Sequence, residues 1–377
     1  MTATTIHDDA PLVMPLPDRE RTVGERIDTF DRLDTVEGGW GAHLRVARRT
    51  ATDFRGEFAA TGTPDWVTTA DLYGLPYPTK FGLFRAPLSP APYVTITNRM
   101  MVIRWTGSDG DRKTMLWEPS DVDLDANTPY FKSLADRYPD QVTDYLTDDH
   151  GRVLESLPRL GIDPADVDYL AFDHLHTQDV RRWLGTTVPQ ADISPNESVI
   201  SAFPNANLIV QRQELEAMAD LHPLQRPWYQ PQTYVDLPNE RIITIDGSVM
   251  LGPGVAIVKT PGHVIGNQTL VLNTSTGIWA CSENVIATEC LTPEHSKIPG
   301  VAKWAARWGQ EVILNANTIE TTAQQYNSCV LEKHLVDRAQ SDSRFLQFFP
   351  SSELTGRWTS PGTSPTFVHR RIEHGSR

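Results

Sequence analysis

Cysteine is scarce in this chain: Cys281, Cys290 and Cys329 are the only three in 377 residues. Their number is odd, and their spacing fits neither a zinc ribbon nor a disulfide framework. Long apolar runs are missing too, so no segment reads as a bilayer span. Met1 to Asp9 has no basic start and no apolar stretch of the secretory kind. A cytoplasmic location is the expectation, with no membrane partner. Positive charge is in deficit: the formal net charge is −14, and no basic stripe offsets it. That argues against a nucleic-acid partner, whose phosphates require clustered Lys and Arg. There is no internal repeat and no low-complexity run. Tryptophan, by contrast, is plentiful at ten residues. Large aromatic surfaces are therefore expected in the core or around a pocket.

The most informative stretch is Phe172-Asp173-His174-Leu175-His176-Thr177-Gln178-Asp179, which follows the apolar run Val167–Ala171. The run reads as a buried strand. Side chains alternate in an extended chain, so His174 and His176 share one face. Two imidazoles just past a rigid strand supply much of a tripodal metal site. A third is available in Thr260-Pro261-Gly262-His263, after the apolar run Val255–Val258. Gly262 permits the tight turn that aims the His263 ring inward. Three imidazoles leave an open position for water, which marks a catalytic rather than a structural site. Buried histidines bonded to the backbone are the alternative for His174 and His176, and a turn histidine for His263. Neutral imidazole suits several divalent ions; zinc is the first expectation, with iron or manganese as alternatives.

These two motifs, in this order, resemble those of the metallo-β-lactamase-fold hydrolases. The family pattern is an HxHxDH loop, a TPGHTxG loop, a Gly-Asp after a strand and a late Pro-Ser-His. Leu160–Asp168, Phe203–Val210 and the stretch from Asp246 to Val255 also look like the family's connecting elements. The resemblance covers roughly residues 92 to 357. It implies an α/β fold, an αββα sandwich: two face-to-face mixed β-sheets with helices outside. The expected division is an N-terminal arm or extension at 1–91, packed on or between subunits, a core domain at 92–358 and a polar tail at 359–377.

The resemblance also marks departures. Gln178 stands where the family has its Asp, and Asp179 where it has its second-site His. Ser282-Glu283 aligns with the Gly-Asp, and Pro350-Ser351-Ser352 with the late Pro-Ser-His. The first metal position keeps His174, His176 and His263; the second loses both of its histidines. Glu283 is expected as a ligand or as the partner of an activated water. Asp179 stays open between second-site ligand, general base, support for a His ring and helix N-cap before Val180–Leu184. Asp173, Gln178 and Ser352 are candidates for hydrogen bonding around the ligands or to substrate. His295 is a candidate substrate-binding group, with an exposed loop position as the alternative. Trp183, Trp228 and Tyr229 are candidates for either a pocket wall or the core.

Elsewhere, Tyr93–Asn98 and Met101–Trp105 read as a hairpin. Residues 65–90 read as an ordered loop, residues 141–160 as a helix and residues 324–338 as a helix packed on a sheet. The expected function is metal-dependent hydrolysis of an ester, lactone, aryl ester or ether, or similar bond in a small molecule. Asp179 and Glu283 are the expected catalytic carboxylates. Two alternatives are carried: a mononuclear iron dioxygenase of the same fold, and a degenerate structural or regulatory subunit. A homo-oligomer, or a hetero-oligomer with a related subunit, is expected.

Overall fold

The computed structural model describes residues 11–16, 22–138, 146–316 and 321–377. A nine-stranded sheet runs in the spatial order β10 (Ile242–Ile245), β9 (Asn207–Gln211), β6 (Tyr169–Ala171), β4 (Arg112–Trp117), β3 (Tyr93–Thr106), β2 (Trp66–Pro78) and β17 (His374–Gly375). In the same sheet β16 (Ser352–Thr355) pairs with β3, and β5 (Asp148–Asp149) pairs with β2. A six-stranded sheet runs β1 (Glu25–Arg26), β11 (Val249–Gly252), β12 (Val255–Lys259), β13 (Gln268–Thr274), β14 (Gly277–Ser282) and β15 (Phe348–Pro350). β7 (Pro189–Gln190) and β8 (Ser194–Ser198) form a separate hairpin. Both sheets are mixed: β10, β9, β6 and β4 pair in parallel, as do β14 and β15, and the other pairings are antiparallel.

Period-two alternation sorts the strand residues into layers. Met101 and Ile103 of β3 meet Val255 and Ile257 of β12 and Leu270 and Leu272 of β13 in one core between the sheets. Their neighbours point outward. Met100 and Val102 pack with Val153 and Leu157 of the helix Val153–Arg159 and with Leu215 of the helix Arg212–Ala219. On the opposite side, Ala256 and Val258 pack with Ala51 and Phe54 of the helix Trp40–Phe58 and with Val330 of the helix Thr322–Leu335. The result is the expected αββα sandwich. No described helix is long and apolar enough to cross a membrane.

Several local expectations change. The hairpin expected at Asn98–Met101 is one continuous strand. Asn98 and Arg99 look like turn residues, but Arg99 is buried and ion-paired to Asp71 and Glu353 on flanking strands, so the chain runs straight through. Residues 66–78 are the strand β2 rather than a loop. A boundary at residue 92 would separate β2 from β3, its antiparallel partner over their full length. Residues 22–91 therefore belong to the sandwich and are not an arm laid upon it. Of the helix expected over 141–160, residues 141–145 lie outside the described residues. The rest holds β5, a turn at Gly151 with φ +129°, and a helix over Val153–Arg159. The polar tail also docks: β17 pairs with β2, and Thr363 and Ile372 are buried.

Candidate metal centre

β6 ends at Ala171, and the chain leaves it as an irregular loop. Gln268 straps this exit to β13: its side chain donates to the Phe172 carbonyl (2.7 Å) and its backbone N–H to the Asp173 carbonyl (2.8 Å). Leu175 turns into the outer core, which leaves His174 and His176 on the opposite face. Thr177 then takes a left-handed φ of +65°, and this turn is held by bonds from its N–H to the Trp228 carbonyl (2.7 Å) and to its own carbonyl from Gln230 (3.1 Å). His263 follows β12. Gly262 has φ +150°, and a Cβ there would lie 2.1 Å from Gln325 Cα, so only glycine fits this loop.

The three rings converge. Centroids are 4.5 Å apart for His174 and His176, 4.6 Å for His174 and His263, and 5.2 Å for His176 and His263. All three are buried, and one nitrogen from each lies within 4.8 Å of the others. Their outer nitrogens are held. His174 Nδ1 meets Asp173 Oδ1 at 2.5 Å, and His263 Nδ1 donates to the Asn315 carbonyl at 2.8 Å. These partners fix the tautomers so that Nε2 carries the lone pair aimed inward. His174 Nε2 is buried and makes no hydrogen bond among the described residues. Three convergent imidazoles with an oriented, unbonded nitrogen fit a divalent metal ion.

Charge supports the same arrangement. Burial, then the neighbouring rings of His174 and His263, hold the His176 imidazole well below its ordinary range. Burial and the His174 charge lower His263 to about 3. Burial also disfavours charge on His174, but Asp173 outweighs it and lifts the ring to about 9. Without a metal, His174 is thus the ring that carries a proton. Asp173 is held below the usual carboxylate range by His174 and by the Ser351 hydroxyl (2.7 Å), against the cost of its own burial.

Glu283 follows β14 and places Oε2 3.6 Å from His174 Nε2. Burial pushes its carboxyl up to about 7, opposed by the attraction of His174. Gln178 donates from Nε2 to Ser120 Oγ (3.0 Å), and Gln178 and Ser352 both line the adjoining cavity. Neither belongs to the three-imidazole cluster.

Two expected site residues lie elsewhere. Asp179 does not line the cavity; its carboxylate accepts from the Arg181 N–H (3.1 Å) and pairs with the Arg181 guanidinium (2.6 Å), which also reaches Asp192. Its carboxylate is engaged in a turn-capping bond and an ion pair with Arg181. His295 sits on a single 3-10 turn, its ring against Phe345 at 6.3 Å, and does not line the cavity. Of the aromatic candidates, Trp228 lines the cavity and stacks on Tyr130 (4.3 Å). Tyr229 lies edge-on to His176 (4.5 Å) and donates to Glu214 (2.8 Å), whereas Trp183 is a core residue.

Glu118, unremarked in the sequence, accepts the Asp173 N–H at 2.6 Å and lines the cavity. The signal was a carboxylate at the exit of β4, the parallel neighbour of β6. Asn315, which orients His263, gave no signal, because its backbone carbonyl does the work. The cavity has a volume of about 190 Å³. Its walls include Leu75, Tyr77, Ile96, Phe131 and Trp228; its carboxylates are Glu118, Asp125 and Glu283. Among the described residues no Lys or Arg lines it.

No family model matches the chain. It is similar to N-acyl homoserine lactonase of Bacillus thuringiensis, 32% identical over 123 residues, covering 33% of this chain and 40% of the relative. The lactonase AttM of Rhizobium radiobacter is 29% identical over 137 residues, covering 34% and 43%. The chain thus spans about 40% of the length of the curated relatives it matches. Among solved structures, AidC, a dizinc quorum-quenching lactonase, aligns over 84% of this chain and 96% of its own at 13% identity, with a TM-score of 0.47. The hydrolase AbOPH aligns over 84% and 98% at 12% identity, with a TM-score of 0.43. Two facing mixed sheets with helices outside, and HxH and Thr-Pro-Gly-His loops whose three rings converge, give this chain the αββα arrangement that its resemblance to the metallo-β-lactamase-fold hydrolases implied.

Proposed function

We propose that this chain is a metal-dependent hydrolase that cleaves an ester or lactone bond in an uncharged, largely apolar small molecule. The observation that carries this reading is the set of three convergent, buried imidazoles beside an apolar cavity. His174, His176 and His263 would hold the ion, with Glu283 beside them. When bound, a divalent ion supplies a water that ionises near neutral pH and a Lewis acid for the carbonyl. Asp173 and Asn315 hold the outer Nδ1 nitrogens of His174 and His263, so that Nε2 of each ring faces the site. Glu283, beside the three rings, is placed to take a proton from the attacking water and return it to the leaving oxygen. The apolar walls hold the acyl body and exclude bulk water. The lactonase similarity supports lactones as the first substrates to try.

One tightly held ion per chain is expected, because at the second position Gln178 stands for an Asp and Ser352 for a His, and Asp179, which stands for the other His, is paired with Arg181. The intact imidazole set supports an enzyme over a degenerate subunit. The test is elemental analysis of protein purified without added metal, followed by a panel of neutral esters and lactones. One equivalent of a divalent metal with turnover is expected, and both should be lost in His263→Ala. Full metal occupancy and full turnover in that variant would refute the assignment.

A further inference from the structure

The helix Thr322–Leu335 carries a polar seam where a helix packed on a sheet ordinarily buries apolar residues. Thr321, Gln325, Ser328 and Glu332 recur at intervals of four, three and four, so they lie on one side. Each reaches a loop of the metal centre. Thr321 Oγ1 donates to the Gly262 carbonyl, and Ser328 Oγ to the Pro261 carbonyl at 2.6 Å. Gln325 Nε2 donates to the Asn315 carbonyl (2.6 Å), the oxygen that orients His263, and to the Asn284 carbonyl (3.2 Å). Glu332 is fully buried. Its Oε1 accepts from Thr269 Oγ1 (2.6 Å), Ser282 Oγ (2.7 Å) and Asn284 Nδ2 (2.8 Å). Ser282 and Asn284 flank Glu283. Thr269 hydrogen-bonds Thr260, the first residue of the His263 loop, at 2.6 Å. A single carboxylate oxygen thus ties both loops to one helix.

We propose that Glu332 is a positioning residue that sets the spacing between Glu283 and the His263 loop, and through it the metal affinity of the centre. This rests on the three-imidazole metal reading above. A buried carboxylate is costly unless its bonds are needed. Three donors on one oxygen give the loops a fixed origin that an apolar side chain does not supply. Groups that hold a ligand loop govern affinity without touching the ion.

The test measures zinc affinity by competition with a chromogenic chelator, together with kcat, KM and the melting temperature of the metal-free protein, for wild type, Glu332→Gln and Glu332→Leu. Gln keeps an acceptor oxygen, and a zinc Kd within about threefold of wild type is expected. Leu leaves three buried donors unpaired; its Kd should rise about 10- to 100-fold, with lower kcat and little change in KM. A Leu variant that melts earlier but keeps the wild-type zinc Kd would show a merely structural role and overturn the inference. So would a Gln variant as weak as Leu. If the Leu variant does not fold, the double variant Thr269→Val, Ser282→Ala removes two of the three bonds and keeps the carboxylate. A weakened Kd there supports the inference, and an unchanged one overturns it. Wild-type protein that binds no zinc overturns the metal-centre reading itself, and this inference with it; binding that is indifferent to Glu332 overturns the inference alone.

Discussion

Asp179 receives the Arg181 guanidinium and backbone N–H on its carboxylate, while its own N–H donates to Asp125 Oδ1 at 2.8 Å. A carboxylate so engaged has little freedom to serve as a base. Asp179→Asn is therefore expected to leave metal content and turnover near wild type and to lower stability by about 1–3 kcal/mol, read from urea unfolding. A loss of turnover by two or more decades at unchanged stability would return Asp179 to the chemistry. Glu283→Gln should behave differently. It exchanges a charged oxygen beside His174 for a neutral one, so metal affinity and rate should fall together, checked by chelator competition and turnover on the same preparation. The convergence of His174, His176 and His263 could be anticipated because an HxH pair just past a strand and a glycine turn are local features of the sequence, although the strand itself ends at Ala171. Asp179 was not, since spacing does not reveal that Arg181 curls back upon it. His295 stayed open between a substrate-binding group and an exposed loop position, because nearness to Glu283 in sequence says nothing of the direction taken by the turn between them.

Among elements, β3 shows how polar residues mislead. Asn98 and Arg99 interrupt an apolar pattern and suggest a turn, yet both pair with β2 within the sheet, and the Arg99 side chain finds Asp71 and Glu353 on the flanking strands. The C-terminal segment shows the same effect. Its composition is polar, but His369 Nε2 bonds the Leu346 carbonyl at 2.7 Å and its ring meets Trp279 at 4.7 Å. Burial lowers His369 to about 4, helped by Arg99, which is itself paired with Glu353. Below its unfolded value of about 6.5 the unfolded chain binds a proton that the folded ring refuses. The stabilising contribution is thus complete above pH 6.5 and lost as pH falls toward 4. His369→Gln should flatten the decline in melting temperature over that window. An equally steep decline in the variant would show that other groups cause it.

At the scale of the whole molecule, the sandwich was legible from the order of its motifs, while its extent was not. Strand β2 carries Pro76 and Pro78, residues unusual within a sheet. The sequence there reads as loop, and the pairing with β3 is long-range information. A chain beginning at residue 92 should therefore fail to fold: it lacks β1, β2 and the helix Trp40–Phe58 that covers one sheet. Circular dichroism and a melting curve of that truncation check this, and a cooperative transition would restore an independent core. The cavity has a further consequence for traffic. It offers no Lys or Arg among the described residues, and the molecule around it carries a net charge of −14. Anionic guests meet a repulsive field on approach, while neutral guests diffuse in unaffected. Added salt shortens the reach of that field to about 3 Å at 1 M. Encounter with a carboxylate-bearing ester should quicken as salt is added, whereas kcat/KM for its uncharged methyl ester should stay level. The acid product, once it leaves the cavity, would be hindered from returning by the same field.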